Sequence, residues 1–264
     1  MAIKMTTQTL LVKAASSFQL KQIDELLTVE FENLDLDFKV LGNPVNKWVQ
    51  VSLSGEDEVI ADSYIKKNIG TCPINMKNIN TFSVLKGYIS KVDTGRQELK
   101  VDVGVFEPKI IHATVLLSHL QAQLADGRKV DLKKISETYG FQPNMPLSIK
   151  VICLNGEEER QLQAELSAAQ IGKIRLWQES LLDRLIVLGA SLSQIETVLE
   201  RTGLNRDIIS EEALGLFEHA LTCKLGTDAA GLIPKIGRYM RNAGFVVFNP
   251  KKVRGLIGET ALTL

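Results

Sequence analysis

A glycine-flanked turn near the C-terminus carries the residue types that most directly indicate chemistry. It lies in the segment Lys224-Leu225-Gly226-Thr227-Asp228-Ala229-Ala230-Gly231-Leu232-Ile233-Pro234. Thr227 and Asp228 are typical of residues that cap a new helix, and the free N–H groups of a helix start can hold a phosphate. The competing interpretation is a capped joint between two helices, because the Asp228 carboxylate would itself occupy the anion position. The candidate phosphate turn consists of Gly226, Thr227 and Gly231.

Basic residues follow this turn in the sequence and also occur further upstream. Lysine and arginine side chains bind nucleic-acid phosphates, and those near the turn are close enough in sequence to surround one anion. The candidate nucleic-acid contacts are Lys86, Lys91, Lys129, Lys133, Lys235, Arg238, Arg241 and Lys251.

Signals for catalysis and for metal binding are weak. The three histidines, His112, His119 and His219, are far apart, and none has a partner at metal-ligand spacing. The chain lacks a Walker loop and the GxGxxG and GxSxG motifs, and the run 157–159 of three glutamates is more typical of a solvated helix start than of a magnesium site. We predict no catalytic residues, no metal and no cofactor. The alternative is an enzyme that acts on a nucleotide-like substrate at the Gly226–Gly231 turn, with Asp228 as base or metal ligand.

Residues 82–154 resemble an S1-like OB-fold barrel. Four strand patterns carry the resemblance, with a short helix opening at Ser118 after the third; the strands cover 84–93, 99–104, 110–117 and 146–152. Small five-stranded barrels of this type present an open face to single-stranded nucleic acid. The resemblance therefore implies an RNA-binding role.

The aromatic signature of S1 domains is not carried over. Gln97 and Leu99 stand where a Phe or Tyr is expected, and Leu116 stands where a His is common. The remaining candidates for base stacking are Tyr88, Phe106 and His112. We therefore expect contacts with the RNA backbone or with structured RNA rather than base-specific reading.

The N-terminal residues 1–75 predict a ferredoxin-like α/β unit, since their patterns follow the order β-α-β-β-α. Ser16 or Ser17 predicts the start of the first helix, and Ser54, followed by three acidic residues, predicts the start of the second. The segment 72–81, with Pro73 and three asparagines, has the composition of a linker.

Residues 156–264 predict a further α/β domain. Asp183–Gly189 is typical of a buried strand, and Ser191 or Ser193 would cap a helix that ends at Gly203. The patterns that follow predict an edge strand at 207–209, a helix over 215–240 that is broken near Gly226 and before Pro234, and a last strand over 244–250. The competing architecture is a helical winged module with a helix-turn-helix over 191–207.

The net charge is zero, but the charges are unevenly distributed. Residues 155–221 contain 6 cations against 12 anions, a balance of −6, whereas residues 222–264 contain 7 cations against 2 anions, a balance of +5. This asymmetry predicts one face for phosphate and another for a basic protein. If the two stretches faced each other, they would instead neutralise each other in the folded protein.

Composition indicates a soluble globular protein, with 45% hydrophobic and 23% charged residues. No apolar run approaches the ~20 residues that span a bilayer, and the first residues lack a signal-peptide pattern, so we expect a cytoplasmic protein without a membrane partner. Cys72, Cys153 and Cys223 are odd in number and widely separated, which predicts buried free thiols rather than disulfides or a zinc site.

The order of these parts resembles a known family. An N-terminal α/β unit, an S1-like barrel and the C-terminal segment 223–234 with its Gly-Thr-Asp sequence are similar to domain-of-unknown-function family 2110 over nearly the whole chain. The resemblance implies an archaeal, cytoplasmic protein and brings no established activity.

We therefore predict an α+β fold with three domains: a ferredoxin-like α/β unit at 1–75, an S1-like OB-fold barrel at 82–154, and an α/β domain at 156–264. The predicted function is non-catalytic binding of RNA or a ribonucleoprotein in translation or RNA processing. The alternative is a protein-interaction scaffold that docks a basic partner on its acidic 155–221 face. The sequence leaves the oligomeric state open.

Overall fold

The computed structural model describes residues 6–155 and 161–258. The glutamate run 157–159 and the first five residues, on which the signal-peptide prediction depends, lie outside them. The strands are β1 (Thr6–Lys13), β2 (Leu36–Val45), β3 (Trp48–Gly55), β4 (Ile74–Asn75), β5 (Val84–Asp93), β6 (Glu98–Glu107), β7 (Ile111–Leu116), β8 (Pro146–Asn155), β9 (Gln161–Leu166), β10 (Arg184–Leu188), β11 (Ile208–Ala213), β12 (Glu218–Cys223) and β13 (Gly244–Phe248).

The α-helices among these residues are α1 (Ser17–Glu30), α2 (Glu58–Tyr64), α3 (Leu117–Leu124), α4 (Leu132–Tyr139), α5 (Ala168–Glu179), α6 (Leu192–Thr202), α7 (Ala229–Gly237) and α8 (Pro250–Ile257). None of these described helices has the length and apolarity needed to cross a bilayer. The chain divides into two compact units, one formed by residues 1–79 and 104–110 and the other by residues 80–103 and 111–264.

The first unit has the predicted ferredoxin-like arrangement. Its antiparallel sheet has the order β1-β3-β2. Thr71 forms an antiparallel bridge with Leu10 on the free edge of β1, at the position that the last strand occupies in a ferredoxin-like sheet. Ser16 caps α1 as predicted, since its side chain accepts a hydrogen bond from the Gln19 N–H. The second helix was predicted to begin at Ser54, but Ser54 pairs within β3 and the helix begins at Glu58.

The segment predicted as a linker is structured. The Cys72 N–H donates to the Thr9 carbonyl, Cys72 is buried, and β4 pairs in parallel with the Val105–Glu107 end of β6. A Cβ on Gly104 would lie 2.4 Å from the Cys72 sulfur, so glycine is required for this approach. The linker prediction was wrong because backbone pairing, which composition does not report, orders the segment.

In the second unit, five strands close into a barrel. β5 pairs with β6 and β8, β9 joins β8 to β7, and β7 closes the barrel on β6. Helix α3 lies between the third and fourth strands, and β7 and β9 run parallel while the neighbours β5, β6 and β8 are antiparallel. This is an OB-like topology, as predicted. The sequence missed the fifth strand, β9, which lies beyond residue 154, and helix α4 in the connection before β8.

The C-terminal sheet repeats the plan of the N-terminal one. Its order is β11-β12-β10-β13, all antiparallel, with α6 between the first two strands and α7 between the last two. Ser191 forms a capping box with Gln194, and α6 ends at Gly203 in the left-handed region, as predicted. This sheet rules out the competing helical winged module for residues 184–248.

One long prediction in this domain was wrong. Residues 215–240 were expected to be a broken helix, but Glu218–Cys223 is a fully buried strand and α7 spans only Ala229–Gly237, with Pro234 inside it. Glu218, His219 and Thr222 are buried polar residues of this strand, so its polar and apolar residues do not alternate and nothing in the pattern distinguishes it from a helix. The break at Gly226 therefore separates a strand from a helix.

Both faces of the C-terminal sheet are covered. On one face, Leu185, Val187 and Leu221 pack with residues of α6 and α7 in a continuous core. On the other face, the Trp177 ring of α5 packs edge-on against Phe248, with ring centroids 5.2 Å apart. The barrel reaches the same domain through Tyr88, whose hydroxyl donates to Glu218 Oε2 at 3.3 Å.

Gly87 is predicted to be essential for barrel closure. A Cβ at this position of β5 would lie 2.3 Å from the Asp102 carbonyl oxygen on β6, so Gly87→Ala should lower the free energy of unfolding by about 1–3 kcal/mol. Gly172→Ala is the matched control, because its Cβ would meet nothing within 4 Å on helix α5, where alanine gains about 0.5–1 kcal/mol. Urea unfolding measures both, and equal effects of the two substitutions would refute the argument.

Glu218 is predicted to make stability depend on pH. It is 5% exposed, and burial raises the pKa of its carboxyl to about 7 from an ordinary value of 4.5. Between these two pH values the folded protein binds more protons than the unfolded chain, so the free energy of unfolding should fall as pH rises. The loss should be about 2–4 kcal/mol.

The Glu218→Gln variant should flatten this slope, because the amide keeps an acceptor for the Tyr88 hydroxyl and does not ionise. Urea unfolding of both proteins across this pH range measures the difference. Parallel pH profiles would show that Glu218 does not titrate in this window.

Candidate functional site

A cleft lies at one edge of the C-terminal sheet, where the start of β10 lies beside the ends of β12 and β13. Because β10 is antiparallel to both neighbours, Arg184 lies opposite Thr222 of β12 and Phe248 of β13. The residue before β10 and those after β12 and β13 must therefore come together. These are Asp183, Lys224 and Asn249, and all three line a cleft of about 270 Å³.

Charged groups of both signs line this cleft. Lys224 and Lys251 are exposed cations, whereas Asp183 and Asp228 are carboxylates. The Asn249 side-chain amide donates to Asp183 Oδ2 at 3.2 Å, and Asp228 Oδ1 accepts from the Ala230 N–H at 3.1 Å. Each carboxylate thus has one oxygen engaged by the fold.

The Cys223 thiol lies near these carboxylates, and its pKa reflects both its burial and their negative charge. Burial raises its pKa to about 11, and the nearby carboxylates of Asp183 and Asp228 add to the increase because they disfavour a thiolate. Among residues 6–155 and 161–258, no three His, Cys, Asp or Glu side chains are grouped as a metal site. The cleft therefore presents ammonium and carboxylate groups to a ligand.

Leucines form the apolar part of the cleft wall. Leu225 is 85% exposed, and Leu181 is 40% exposed with a φ of 58°. A leucine in the left-handed region is uncommon, because its side chain crowds the backbone. The buried Arg184 guanidinium holds this loop: Nη1 donates to the Ser180 hydroxyl at 2.9 Å and to the Leu182 carbonyl at 3.1 Å.

Only part of the predicted phosphate turn lines the cleft. Gly226, with a φ of 88°, and Thr227 line the cleft, whereas Gly231 lies in the first turn of α7, away from the cleft wall. Asp228 caps α7, as the competing interpretation expected, but the turn joins strand β12 to α7 rather than two helices. An anion in the cleft would therefore meet the two lysines rather than the first N–H groups of α7.

A larger basic surface lies around helix α8. Arg128 Nη1 donates to the Leu256 carbonyl at 3.3 Å, which ties the loop before α4 to the end of α8, and α4 also packs against α8. We call this the α8 surface; its cations are Arg128, Lys129, Lys133, Lys134, Lys251 and Lys252. It unites three of the predicted nucleic-acid contacts, namely Lys129, Lys133 and Lys251.

Three other predicted contacts lie on a second surface. Lys235, Arg238 and Arg241 are exposed on α7 and directly after it, on the sheet face opposite to α5. The Arg201 guanidinium at the end of α6 stacks on the exposed Tyr239 ring, 4.5 Å from its centroid. We call this group the α7 surface.

On the barrel, the predicted contacts are Lys86 and Lys91, both exposed on β5. Lys91 forms an ion pair with Asp93 at 2.8 Å and lowers the pKa of that carboxyl. Tyr88, predicted as a stacking platform, is buried against Glu218 and cannot stack on a base. His112 is half-buried on β7, where Nδ1 lies 3.1 Å from the Ser90 hydroxyl.

The third predicted platform, Phe106, is half-buried in the first unit. The two positions without an S1-type aromatic have structural roles. The Gln97 side chain accepts from the Leu132 N–H at 3.2 Å, and Leu99 is buried in the barrel.

A polar strip with Ser90, Lys100 and Thr114 lies on the barrel strands, where Lys100 Nζ donates to the Thr114 hydroxyl at 2.9 Å. These strands therefore carry polar and charged side chains, of which Lys100 is also paired with Glu98 at 2.9 Å.

Several carboxylates of the acidic 155–221 stretch are paired or buried. Glu165 pairs with Lys150 at 3.4 Å, Glu212 pairs with Lys173 at 2.9 Å, and Glu218 is buried. Glu211 lies near Glu196, and its pKa is raised by burial and by that second carboxylate. Docking of a basic partner on this stretch stays a prediction.

Sequence reasoning missed four of the ten residues that line the cleft, namely Leu181, Leu182, Asp183 and Asn249. Asp183, Asn249 and Leu181 lie far from the Gly-Thr-Asp turn in sequence and reach it only through strand pairing. One signal was available: Asp183 begins the predicted strand 183–189 and Asn249 lies near the end of the predicted strand 244–250, and the ends of strands are where sheet proteins place binding residues.

The comparison with known protein families gives a match in the C-terminal domain. Residues 182–248 match the family model of the DUF2110 C-terminal domain. The matched range covers β10 to β13, the whole ferredoxin-like unit and most of the cleft. No curated protein matches the chain. Residues 182–248 are thus similar to the DUF2110 C-terminal domain, which supports the resemblance to domain-of-unknown-function family 2110 in this part of the chain.

Proposed function

We propose that this protein binds RNA or a ribonucleoprotein, without catalysis, in translation or RNA processing. The observation that carries the proposal is the α8 surface, on which six cations from three separate chain segments are brought together beside an OB-like barrel. Clustered lysines and arginines supply most of the affinity for a phosphate backbone, and OB-like barrels recur in proteins that bind single strands.

The charges of the α8 surface are available to a ligand. Lys129, Lys251 and Lys252 are exposed, with no ion pair to any residue in the described ranges. Lys133 lies 4.0 Å from Glu137, but both side chains are well exposed, and such surface pairs contribute little. A phosphate can therefore displace these contacts at small cost.

The mode of recognition follows from the barrel. With Tyr88 buried and no aromatic at positions 97 and 99, stacking on its strands contributes little. The exposed Lys86 suits a phosphate, whereas the Lys100 ammonium is paired with Glu98 at 2.9 Å and donates to Thr114, so it contributes less. Binding should consequently be sensitive to salt and tolerant of base sequence.

We predict that removing charge from the α8 surface weakens RNA binding. A variant with Lys129, Lys133 and Lys252 changed to Ala should bind a short mixed-sequence single-stranded RNA at least ~10-fold more weakly, because each lost phosphate contact removes counterion release. The slope of log K against log salt concentration should become shallower by about 2, since single strands contribute ~0.7 for each contact. Fluorescence anisotropy at several salt concentrations measures both quantities.

A second triple variant removes equal charge from the α7 surface, with Lys235, Arg238 and Arg241 changed to Ala. It should retain most of the affinity, and thermal melting checks that both variants are folded. Loss of binding in the α7 variant alone would transfer the site to that surface. Absence of RNA binding by the unaltered protein at low salt would overturn the proposal.

The cellular process is predicted to be visible in the RNA that the protein contacts. Crosslinking in the native host, followed by sequencing, should recover discrete sites on ribosomal, transfer or messenger RNA, and fewer crosslinks with the α8 triple variant. An RNA sample no richer than that from an unrelated protein would refute a role in translation or RNA processing.

A further inference from the structure

We propose that the cleft at the edge of the C-terminal sheet binds one ribonucleotide unit with a 5′-phosphate and a free 2′,3′-diol. Two sources have this chemistry: a free ribonucleoside 5′-monophosphate and the 3′-terminal nucleotide of an RNA. The inference goes beyond the proposed RNA binding, because it assigns a single nucleotide unit to the cleft, which shares only Lys251 with the α8 surface.

The two lysines identify the anionic part of the ligand. Lys224 follows β12 and Lys251 lies in the first turn of α8, and both line the same cleft. Neither forms an ion pair with a residue in the ranges that the structure describes. Two ammonium groups from different segments are suited to one phosphate, which accepts several charge-assisted hydrogen bonds.

The two carboxylates identify the hydroxyl groups. Asp183 and Asp228 each use one oxygen for the fold, to Asn249 and to the Ala230 N–H, and each second oxygen has no hydrogen-bond partner among residues 6–155 and 161–258. An ionised carboxylate only accepts hydrogen bonds, so the ligand must supply donors. Ribose hydroxyls are such donors, and carboxylates bind the ribose of nucleotide cofactors in the same way.

The leucines identify the apolar part. Leu225 places an 85% exposed side chain on the rim, and Leu181 reaches the wall from a left-handed backbone conformation. Arg184 anchors the Leu181 loop, so the wall is in place before a ligand arrives. A planar base can cover these side chains, whereas a sugar phosphate would leave them exposed.

The size of the cleft limits the ligand to one unit. At about 270 Å³ it lies near the lower end of the ~300–1,000 Å³ range of small-molecule pockets. A dinucleotide cofactor would exceed this space. The cleft suits a single nucleotide, or the end of a chain whose remainder lies outside.

The first test is calorimetric titration of the full chain with adenosine, guanosine, cytidine and uridine 5′-monophosphates. At least one should bind, and its 2′-deoxy analogue should bind about 10-fold more weakly, because a site that hydrogen-bonds a hydroxyl discriminates against its absence. Lys224→Ala and Lys251→Ala should each weaken binding by about 10-fold, as expected for a lost charged hydrogen bond.

Three variants serve as controls and as a second readout. Arg175→Ala removes an exposed cation on α5, outside the cleft and outside both basic surfaces, and should leave nucleotide affinity unchanged. Asp183→Asn should reduce the preference for ribose over deoxyribose more than it reduces affinity for the deoxy form. Leu225→Ser should weaken all four monophosphates without changing that preference.

A pair of short RNAs separates the two sources. If the ligand is an RNA end, an RNA with a free 3′-hydroxyl should displace the bound monophosphate, and the same RNA with a 3′-phosphate should not. If neither displaces it at salt that permits RNA binding, the ligand is the free nucleotide. The α8 triple variant retains both cleft lysines, so it separates failure of RNA binding from failure of the cleft.

Two outcomes would overturn the inference. One is that no ribonucleoside monophosphate binds at millimolar concentration. The other is that the Lys224→Ala/Lys251→Ala double variant, shown to be folded by thermal melting, binds as tightly as the unaltered protein.

Discussion

The central strand of the C-terminal sheet, β10, is the constraint on which the functional part of the molecule depends. Its five residues are buried and pair on both sides, so β12 and β13 must align their ends beside its start. Arg184 opens this strand, and its buried guanidinium lies 5.3 Å from the Trp177 ring centroid. The same guanidinium bonds to three preceding residues, so helix α5, the Leu181 loop and the sheet edge are held together.

The two ferredoxin-like units share one sheet topology, but they differ in the length of the fourth strand and in how the sheet faces are covered. In the N-terminal unit, the fourth strand is reduced to a bridge at Leu10 and Thr71, whereas in the C-terminal unit it is the full strand β13. The C-terminal unit also covers both sheet faces, because α5 and the barrel occupy the face that α6 and α7 leave free. A sheet covered on both faces presents its strand ends as a site of approach for a ligand, and the cleft lies there.

The barrel has retained its topology while its surface chemistry differs from the expected S1 pattern. Tyr88 points to Glu218 rather than to solvent, and Gln97 supports helix α4. Side chains that could have stacked on bases therefore join the barrel to its neighbouring elements. The side chains that remain on the barrel surface include Lys86, Lys91 and the Ser90–Lys100–Thr114 strip, which are polar or basic rather than aromatic.

Much of the architecture was predictable from local patterns. Strands β5, β6 and β7 and the caps at Ser16 and Ser191 follow from alternation and from side chains that accept backbone N–H groups, which are properties of neighbouring residues. Strand β12 and helix α4 were not predictable in this way. A strand buried on both faces has no alternation, and a short amphipathic helix inside a Lys- and Gly-rich connection resembles a loop.

The candidate site was likewise predictable only where it depends on neighbouring residues. The sequence by itself determined that the Gly-Thr-Asp turn follows an apolar segment, that Asp228 caps a helix, and that basic residues concentrate after residue 222. Only the tertiary structure decided that Asp183, Lys224 and Asn249 share one cleft, and that Arg128 and α8 share one surface. The physical reason is that capping and composition act over a few residues, whereas the register of β10 with its neighbours joins residues separated by 30 to 64 positions, and no local pattern encodes those pairings.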